Sequence, residues 1–353
     1  MKTCAGARPA FAGCCSLMVA AFVAGCTTAA YDYRWEEREL GGGASLRGIS
    51  ALDRNVVWTT GTEGTIFKTE SGGRTWEKVV IPNTAHLDFR DVEVLSRNIV
   101  VVMSAGVGDK SRIYRTTDGG ETWHEALANT HEEGFYDGIA FWDAEEGMLG
   151  GDPVAGDMYF AKTVDGGRTW QRVDPGLLPA LNSGETGGFA ASGSHLAVHG
   201  NTVWISSVYA GSRVTFSRDR GHTWDVVDTP IVQEEKTQGI FSLAFFDESM
   251  GVAVGGDYAK QTQGADNVML TADGGLNWRF AGDFPVFQSS VRYLSRDHLV
   301  SVGPEAGYYS TDGGNHWRRI DGKGYHALSV AEGGAVWASG QDGRVGRLVT
   351  SPR

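Results

Sequence analysis

Three carboxylates, three guanidiniums and several aromatic hydroxyls in this sequence are of types that do chemistry together. Asp137, Asp152 and Asp257 are candidates for a hydrolytic pair. Two carboxyl groups about 5–5.5 Å apart cleave a glycosidic bond with retention, and a pair about 6.5–9.5 Å apart does so with inversion. Arg47, Arg90 and Arg292 carry the forked donors that grip a carboxylate. Tyr136, Glu185, Ser242, Glu305 and His326 complete the polar set. The same residues read equally as ion pairs that order a protein interior, or as polar anchors for a binding partner.

Other chemistries lack their residues. His195 and His199 lie four apart in a strand-like segment, which separates them by about 13 Å along the chain. No His-Glu-x-x-His is present, no Gly-x-Gly-x-x-Gly opens a βαβ unit, and Gly108-Asp109-Lys110-Ser111 lacks the Gly-Lys pair of a phosphate loop. A Gly-x-Ser-x-Gly nucleophile elbow is also missing. Neither a metal nor an organic cofactor is expected. The net charge of −12 repels phosphate backbones, so nucleic acid is not an expected partner.

What must position these residues is a repeat. With 50 Gly and 11 Trp in 353 residues, the chain has the composition of many short strands joined by tight turns. Six copies of one pattern bear this out: Thr69-Glu70-Ser71-Gly72-Gly73-Arg74-Thr75-Trp76, then 116–123, 163–170, 217–224, 271–278 and 310–317. Asp118, Asp165, Asp219, Asp273 and Asp312 hold the acidic position, Ser71 replaces it in the first copy, and Asn277 and His316 stand for the usual Thr in the last two. The Trp-to-Trp spacings of 47, 47, 54, 54 and 39 correspond to one four-stranded unit per repeat. In such a turn the Asp folds back onto backbone N–H groups, and Gly supplies the positive φ. A calcium role is disfavoured, because the alternating Asp/Asn ligands and closing Glu of an EF-hand are missing.

The pattern resembles the Asp-box (bacterial neuraminidase) repeat over residues 34–350. The units run 46–80, 87–127, 134–173, 185–227, 239–281 and 290–320. Three further strands, 325–330, 335–340 and 344–349, have no box. Arg34-Trp35-Glu36-Glu37 resembles the strand that follows a box elsewhere, so it should complete a seventh unit. The expected fold is an all-β, seven-bladed β-propeller with Asp-box turns, closed by the N-terminal strand and free of long unpaired edges. In such a ring, first-strand starts and second-to-third-strand loops open on one face. Arg47, Arg90, Asp91, Tyr136, Asp137, Glu185, Ser242, Arg292 and His326 map there by the first criterion. Asp152, Asp257, Tyr258 and Glu305 map there by the second. Insertions 174–188 and 256–267 fall on the same face.

Phe-Arg-Asp-Val (89–92), the boxes and Gly-Gly-Asp-Tyr (255–258) also resemble the photosystem II stability/assembly-factor-like propellers. That likeness implies protein binding at the channel mouth by a non-catalytic scaffold. Sialidases share the Asp box and use three Arg, a Tyr/Glu nucleophile pair and an Asp acid, roles that this resemblance would give to Arg47, Arg90 and Arg292, to Tyr258 or Tyr308, and to Asp91 or Asp137. They are six-bladed, however, and carry an Arg-Ile-Pro segment that is missing here. A glycan-acting hydrolase is the alternative, with Asp137, Asp152 and Asp257 as its carboxylates. The expected partner is therefore a protein or a glycan, bound by a monomer.

Residues 1–25 read as a secretory signal: Lys2 and Arg8 supply the positive start, and 11–23 supply a short apolar run. Val23-Ala24-Gly25-Cys26 resembles the bacterial lipobox, which implies lipidation of Cys26, and Thr27 after it implies transfer to the outer membrane. Residues 26–33 would be a tether and 34–350 the propeller. All four cysteines (Cys4, Cys14, Cys15, Cys26) precede the propeller, which must therefore be stable without disulfides. Acyl chains on Cys26 would be the only membrane attachment. Cys26→Ser should leave unprocessed precursor in the membrane fraction. Normal maturation of that variant, seen by mass shift of the mature chain, would refute the assignment.

Overall fold

A carboxylate folded onto its own turn builds each repeat. In the second copy, Asp118 Oδ1 accepts the Thr122 amide at 2.9 Å and the Thr116 hydroxyl at 2.7 Å, while Oδ2 accepts the Thr122 hydroxyl at 2.5 Å. The hydroxyl of Thr122, then its amide and the Thr116 hydroxyl, hold the Asp118 carboxyl well below the usual range. Gly120 sits at φ +96°, and a Cβ there would stand 2.7 Å from Trp58 of the neighbouring blade. The substitutions in other copies preserve the bonding. Ser71 Oγ accepts the Thr75 amide at 2.9 Å, Asn277 Nδ2 donates to Asp273 at 2.7 Å, and His316 Nδ1 lies 2.6 Å from Asp312. With its oxygens taken up in this way, a box has little to offer a cation.

The computed structural model describes residues 31–352 apart from Ala210. Cys26, the expected signal segment and most of the expected tether lie outside the described residues. Seven four-stranded antiparallel sheets are present, and in six of them the strands follow chain order. Their innermost strands are Leu46–Ala51, Phe89–Val94, Tyr136–Phe141, Leu196–His199, Gln238–Phe245, Ser290–Tyr293 and Ala327–Val330, for blades one to seven. The molecule is a seven-bladed β-propeller. Box tryptophans help weld neighbouring blades: Trp76 packs edge-on to Trp337 at 6.0 Å, and Trp123 to Trp58 at 6.2 Å.

Blade seven takes its outer strand from the N-terminus. Tyr31–Glu39 pairs antiparallel with Arg344–Pro352 through nine residue pairs, from Tyr31↔Pro352 to Glu39↔Arg344. The strand begins at Tyr31, so residues 31–33 of the expected tether are strand; the long partner offers them backbone groups to pair with. Trp35 is buried between blades six and seven, its ring 4.9 Å from that of Tyr325.

One boundary differs from expectation. The innermost strand of blade four starts at Leu196, not near Glu185. Residues 174–195 instead form a strap that leaves blade three, folds over the mouth and enters the hub. Trp35→Ala should cost about 3–5 kcal/mol, the usual range for a buried Trp. Deleting residues 31–39 should expose the 344–352 edge and abolish the single cooperative melting transition. A deletion variant with the parent's melting curve would show that the ring does not depend on this strand.

Candidate functional site

Strand direction decides which end of the channel a side chain reaches. First strands run from the mouth inward, and a residue advances about 3.3 Å per step. Residues a few steps into a strand therefore belong to the lower channel. The strap sharpens this division. Its start is held by Glu185, which is fully buried and forms a two-bond pair with Arg213, one contact being Arg213 Nε to Oε1 at 3.0 Å. Glu185 also accepts the Ser207 hydroxyl at 2.5 Å and the Asn182 amide at 2.8 Å. Thr186 then bridges Val208, and the Gly187 amide donates to Asp152 Oδ1 at 2.9 Å. Arg90 Nη1 donates to the Ala190 carbonyl at 3.1 Å, and Ser192 Oγ donates to the Ser289 carbonyl at 2.7 Å, on blade six. A Cβ on Gly193 would lie 2.2 Å from Asp91 Oδ1, on blade two. Only a glycine lets the chain cross the hub at that point.

The strap is thus a septum. Above it lies a mouth cavity of about 480 Å³, below it a second of about 470 Å³. Residues 188–191 line the first, and Ser192 and Gly193 line the second.

Six of the expected site residues line the mouth cavity: Arg47, Arg90, Asp137, Asp152, Tyr258 and His326. Arg90 Nε pairs with Asp88 at 2.8 Å. Arg47 Nε donates to Ser45 Oγ at 3.2 Å. Burial first, then Arg47, Arg344 and Arg90, drive the His326 pKa down to about 3, so the ring is neutral. Burial, aided by nearby Asp152, raises the Asp137 carboxyl well above the usual range; the Gly188 amide and Arg90 oppose this. Burial also raises Asp152, against the Gly187 amide.

The other expected residues lie elsewhere. Asp91 and Arg292 line the lower cavity, together with Glu93. They do not converge with Arg90, because Asp91 lies one step beyond it under the septum and Arg292 is the third residue of its strand. Both Asp91 oxygens take backbone donors, the Val92 and Ile139 amides, each at 2.8 Å. Burial raises the carboxyls of both Asp91 and Glu93. Ser242 is a hub residue, accepting the Val291 amide at 3.0 Å. Tyr136 stacks on Tyr159 at 5.6 Å in the interblade core, and Tyr308 packs on Phe284 at 5.0 Å, so neither presents a hydroxyl to the channel. Asp257 caps its own loop, accepting the Ala259 amide at 2.9 Å and lying 3.5 Å from Lys260. Glu305 is exposed on the rim. Among the described residues no three His, Cys, Asp or Glu side chains gather as a metal site.

Asp137 and Asp152 do approach each other. A Cβ built on Gly187 would lie 2.4 Å from Asp137 Oδ2 and 2.7 Å from Asp152 Oδ1. The strap backbone is therefore wedged over the pair; the Gly187 amide donates to Asp152 Oδ1, and Asp137 Oδ2 is buried without a hydrogen-bond partner.

Sequence reasoning missed the opposite wall. Phe189 of the strap stacks on Phe241, ring centres 3.9 Å apart and planes 12° apart; Phe287 meets Phe241 edge-on at 4.5 Å, and Tyr258 meets Phe189 edge-on at 5.6 Å. Phe241 occupies the same bulge position in its innermost strand as Arg47, Arg90 and Asp137, and Phe287 lies in the loop that enters the innermost strand of blade six, so attention to aromatic as well as ionic types there would have found them. The placement of Phe189 required the path of the strap.

The fold and its turns define an Asp-box β-propeller. A model of the BNR/Asp-box repeat matches residues 114–125. No curated protein sequence matches the chain significantly. Among solved structures the chain is similar to YCF48 bound to a D1 peptide, at 18% identity and a TM-score of 0.64, over 90% of this chain and 96% of that one. A streptogramin B lyase superposes with a TM-score of 0.65 at 14% identity, over 91% and 98%. A GH74 xyloglucanase from Xanthomonas campestris does so at 0.59 and 14%, over 88% of this chain and 53% of the enzyme. At such identities these likenesses establish the fold, and function must be argued from the site.

A carboxyl whose folded pKa exceeds its unfolded value near 4 costs stability once pH passes the unfolded value, and the cost grows until pH reaches the folded pKa. Asp137→Asn removes that cost and can still accept the Gly188 amide. The variant should melt with the parent near pH 4 and above it near pH 8, in thermal melts across that range. Equal melting at both ends would mean that Asp137 is not held protonated.

Proposed function

We propose that the propeller is a protein-binding scaffold, anchored in the cell envelope through Cys26, and that it docks a polypeptide segment at the mouth cavity. The observation that carries this reading is the cavity itself. It has an ionic wall with Arg47, Arg90 and His326, an aromatic wall with Phe189, Phe241 and Phe287, and a floor made by the strap. Such a combination of large aromatic area and few polar anchors characterises binding hot spots. Its neighbour YCF48 has been solved with a D1 peptide bound, which supports peptide capture by a propeller of this form.

The glycan-hydrolase reading draws on the xyloglucanase likeness and on the proximity of Asp137 and Asp152. We favour the scaffold because the strap backbone is wedged over that pair, with the Gly187 amide on Asp152, and Asp257 is turned into its own loop. A photo-crosslinking residue at position 258, beside the cavity, should capture envelope polypeptides in living cells. The same residue at position 164, in an Asp-box turn on the opposite face, should not. Equal capture at both positions, or none at 258, would refute docking at the mouth.

A further inference from the structure

The two walls of the mouth cavity differ in what they lack. Arg47 lines the cavity and, among the described residues, has no carboxylate within 4.0 Å; its Nε donates to Ser45 Oγ. The nearest acid felt by Arg47 is Asp88, and Asp88 is already paired with Arg90 at 2.8 Å. His326, only 3% exposed, has a buried Nε2 with no hydrogen-bond partner and lines the same cavity. Of the two acids lining the cavity, neither pairs with Arg47: Asp137 is buried, which raises its carboxyl pKa, and its Oδ2 has no hydrogen-bond partner, while Asp152 accepts the Gly187 amide. The ionic wall thus carries an uncompensated cation and two unused buried polar atoms, His326 Nε2 and Asp137 Oδ2. A buried donor left unpaired costs about 1–3 kcal/mol, so such a site favours a ligand that satisfies it.

The aromatic wall has the complementary character. Phe189, Phe241 and Phe287 form a continuous face, and the half-exposed Tyr258 lies at its rim. The volume of about 480 Å³ is in the range of sites that hold small ligands or a single large side chain. We propose that the mouth cavity binds a carboxylate joined to an apolar or aromatic group, with the carboxylate on Arg47 and His326 Nε2 and the apolar group on Phe189, Phe241 and Phe287. A guanidinium takes a carboxylate through two parallel bonds, and His326 adds a third in the tautomer that carries its proton on Nε2. Two sources supply this chemistry: the C-terminal residue of a polypeptide and a free small acid. The first rests on the docking reading above and narrows it to a chain end with an apolar last residue.

Four probes test this by titration calorimetry on the full propeller: 3-phenylpropanoate, 3-phenylpropanamide, and an acetylated tripeptide ending in phenylalanine as free acid and as C-terminal amide. The acids should bind at least about ten-fold tighter than their amides. Arg47→Gln should lose about ten-fold of that affinity, and Arg47→Lys should retain part of it. Because Arg47 holds no ion pair, both variants should melt like the parent, and Tyr258→Ala should weaken the acids without changing their preference over the amides. Binding of both acids supports the polypeptide source. If only 3-phenylpropanoate binds, the cavity serves a free acid, and docking of a chain end fails while this inference stands. If the peptide amide binds as tightly as the peptide acid and Arg47→Gln changes nothing, docking stands and this inference is overturned. No binding of any probe at millimolar concentration also overturns it.

Discussion

Closing a ring of sheets leaves no strand edge, and this constraint governs the rest of the molecule. Blades one to six each complete themselves from consecutive chain, but the last blade has three C-terminal strands and needs a fourth. The nine residue pairs between Tyr31–Glu39 and Arg344–Pro352 supply it, joining the two ends of the described chain in one sheet. Without disulfides in the propeller, this pairing stands in for a covalent staple. Once the ring is shut, the hub has a defined width, and every inward side chain must find its partner within it.

The hub solves that problem with short hydrogen bonds from blade to blade. The Ala51 amide reaches Ser329, the Val94 amide Ser50, the Ile139 amide Asp91 and the Val291 amide Ser242. Asp91 is one member of this series and does the work that serines do elsewhere. The strap exploits the same economy. Its run Gly187-Gly188-Phe189-Ala190-Ala191-Ser192-Gly193-Ser194 is almost free of bulk, so it can cross a narrow channel and bond to blades two, three, five and six. The buried Glu185–Arg213 pair fixes where it begins. Buried pairs of this kind contribute little net stability relative to apolar packing, but they specify one arrangement strongly.

Division of the channel gives each half its own character. The lower cavity carries its charges on innermost strands, in Asp91, Glu93 and Arg292, among largely apolar neighbours. The mouth cavity sets a charged wall against an aromatic one. The Asp137 and Asp152 carboxyls lie under the strap backbone, and Asp152 anchors it through the Gly187 amide. What remains available to a ligand is the cationic side, around Arg47 and His326, and the phenylalanine face opposite.

The sequence by itself determined the architecture, because the Asp-box turn is local. Its Thr, Asp and Gly lie within five residues of one another, so their hydrogen bonds and positive φ values follow from spacing alone, and six copies with a spare N-terminal strand fix seven blades. The same logic places Arg47, Arg90, Asp137, Asp152, Tyr258 and His326 around one mouth, since strand starts and second-to-third loops always share a face. It fails for Arg292 and Asp91, where a step or two along a strand crosses the septum, and for Tyr136, where the alternation of a strand turns the ring into the interblade core. Tertiary structure alone decided the path of 187–194, because a run of small residues carries no periodicity and its bonding partners lie as much as about a hundred residues away. That path in turn decided which charges are buried, which are paired, and which single guanidinium was left facing the cavity without a counter-ion.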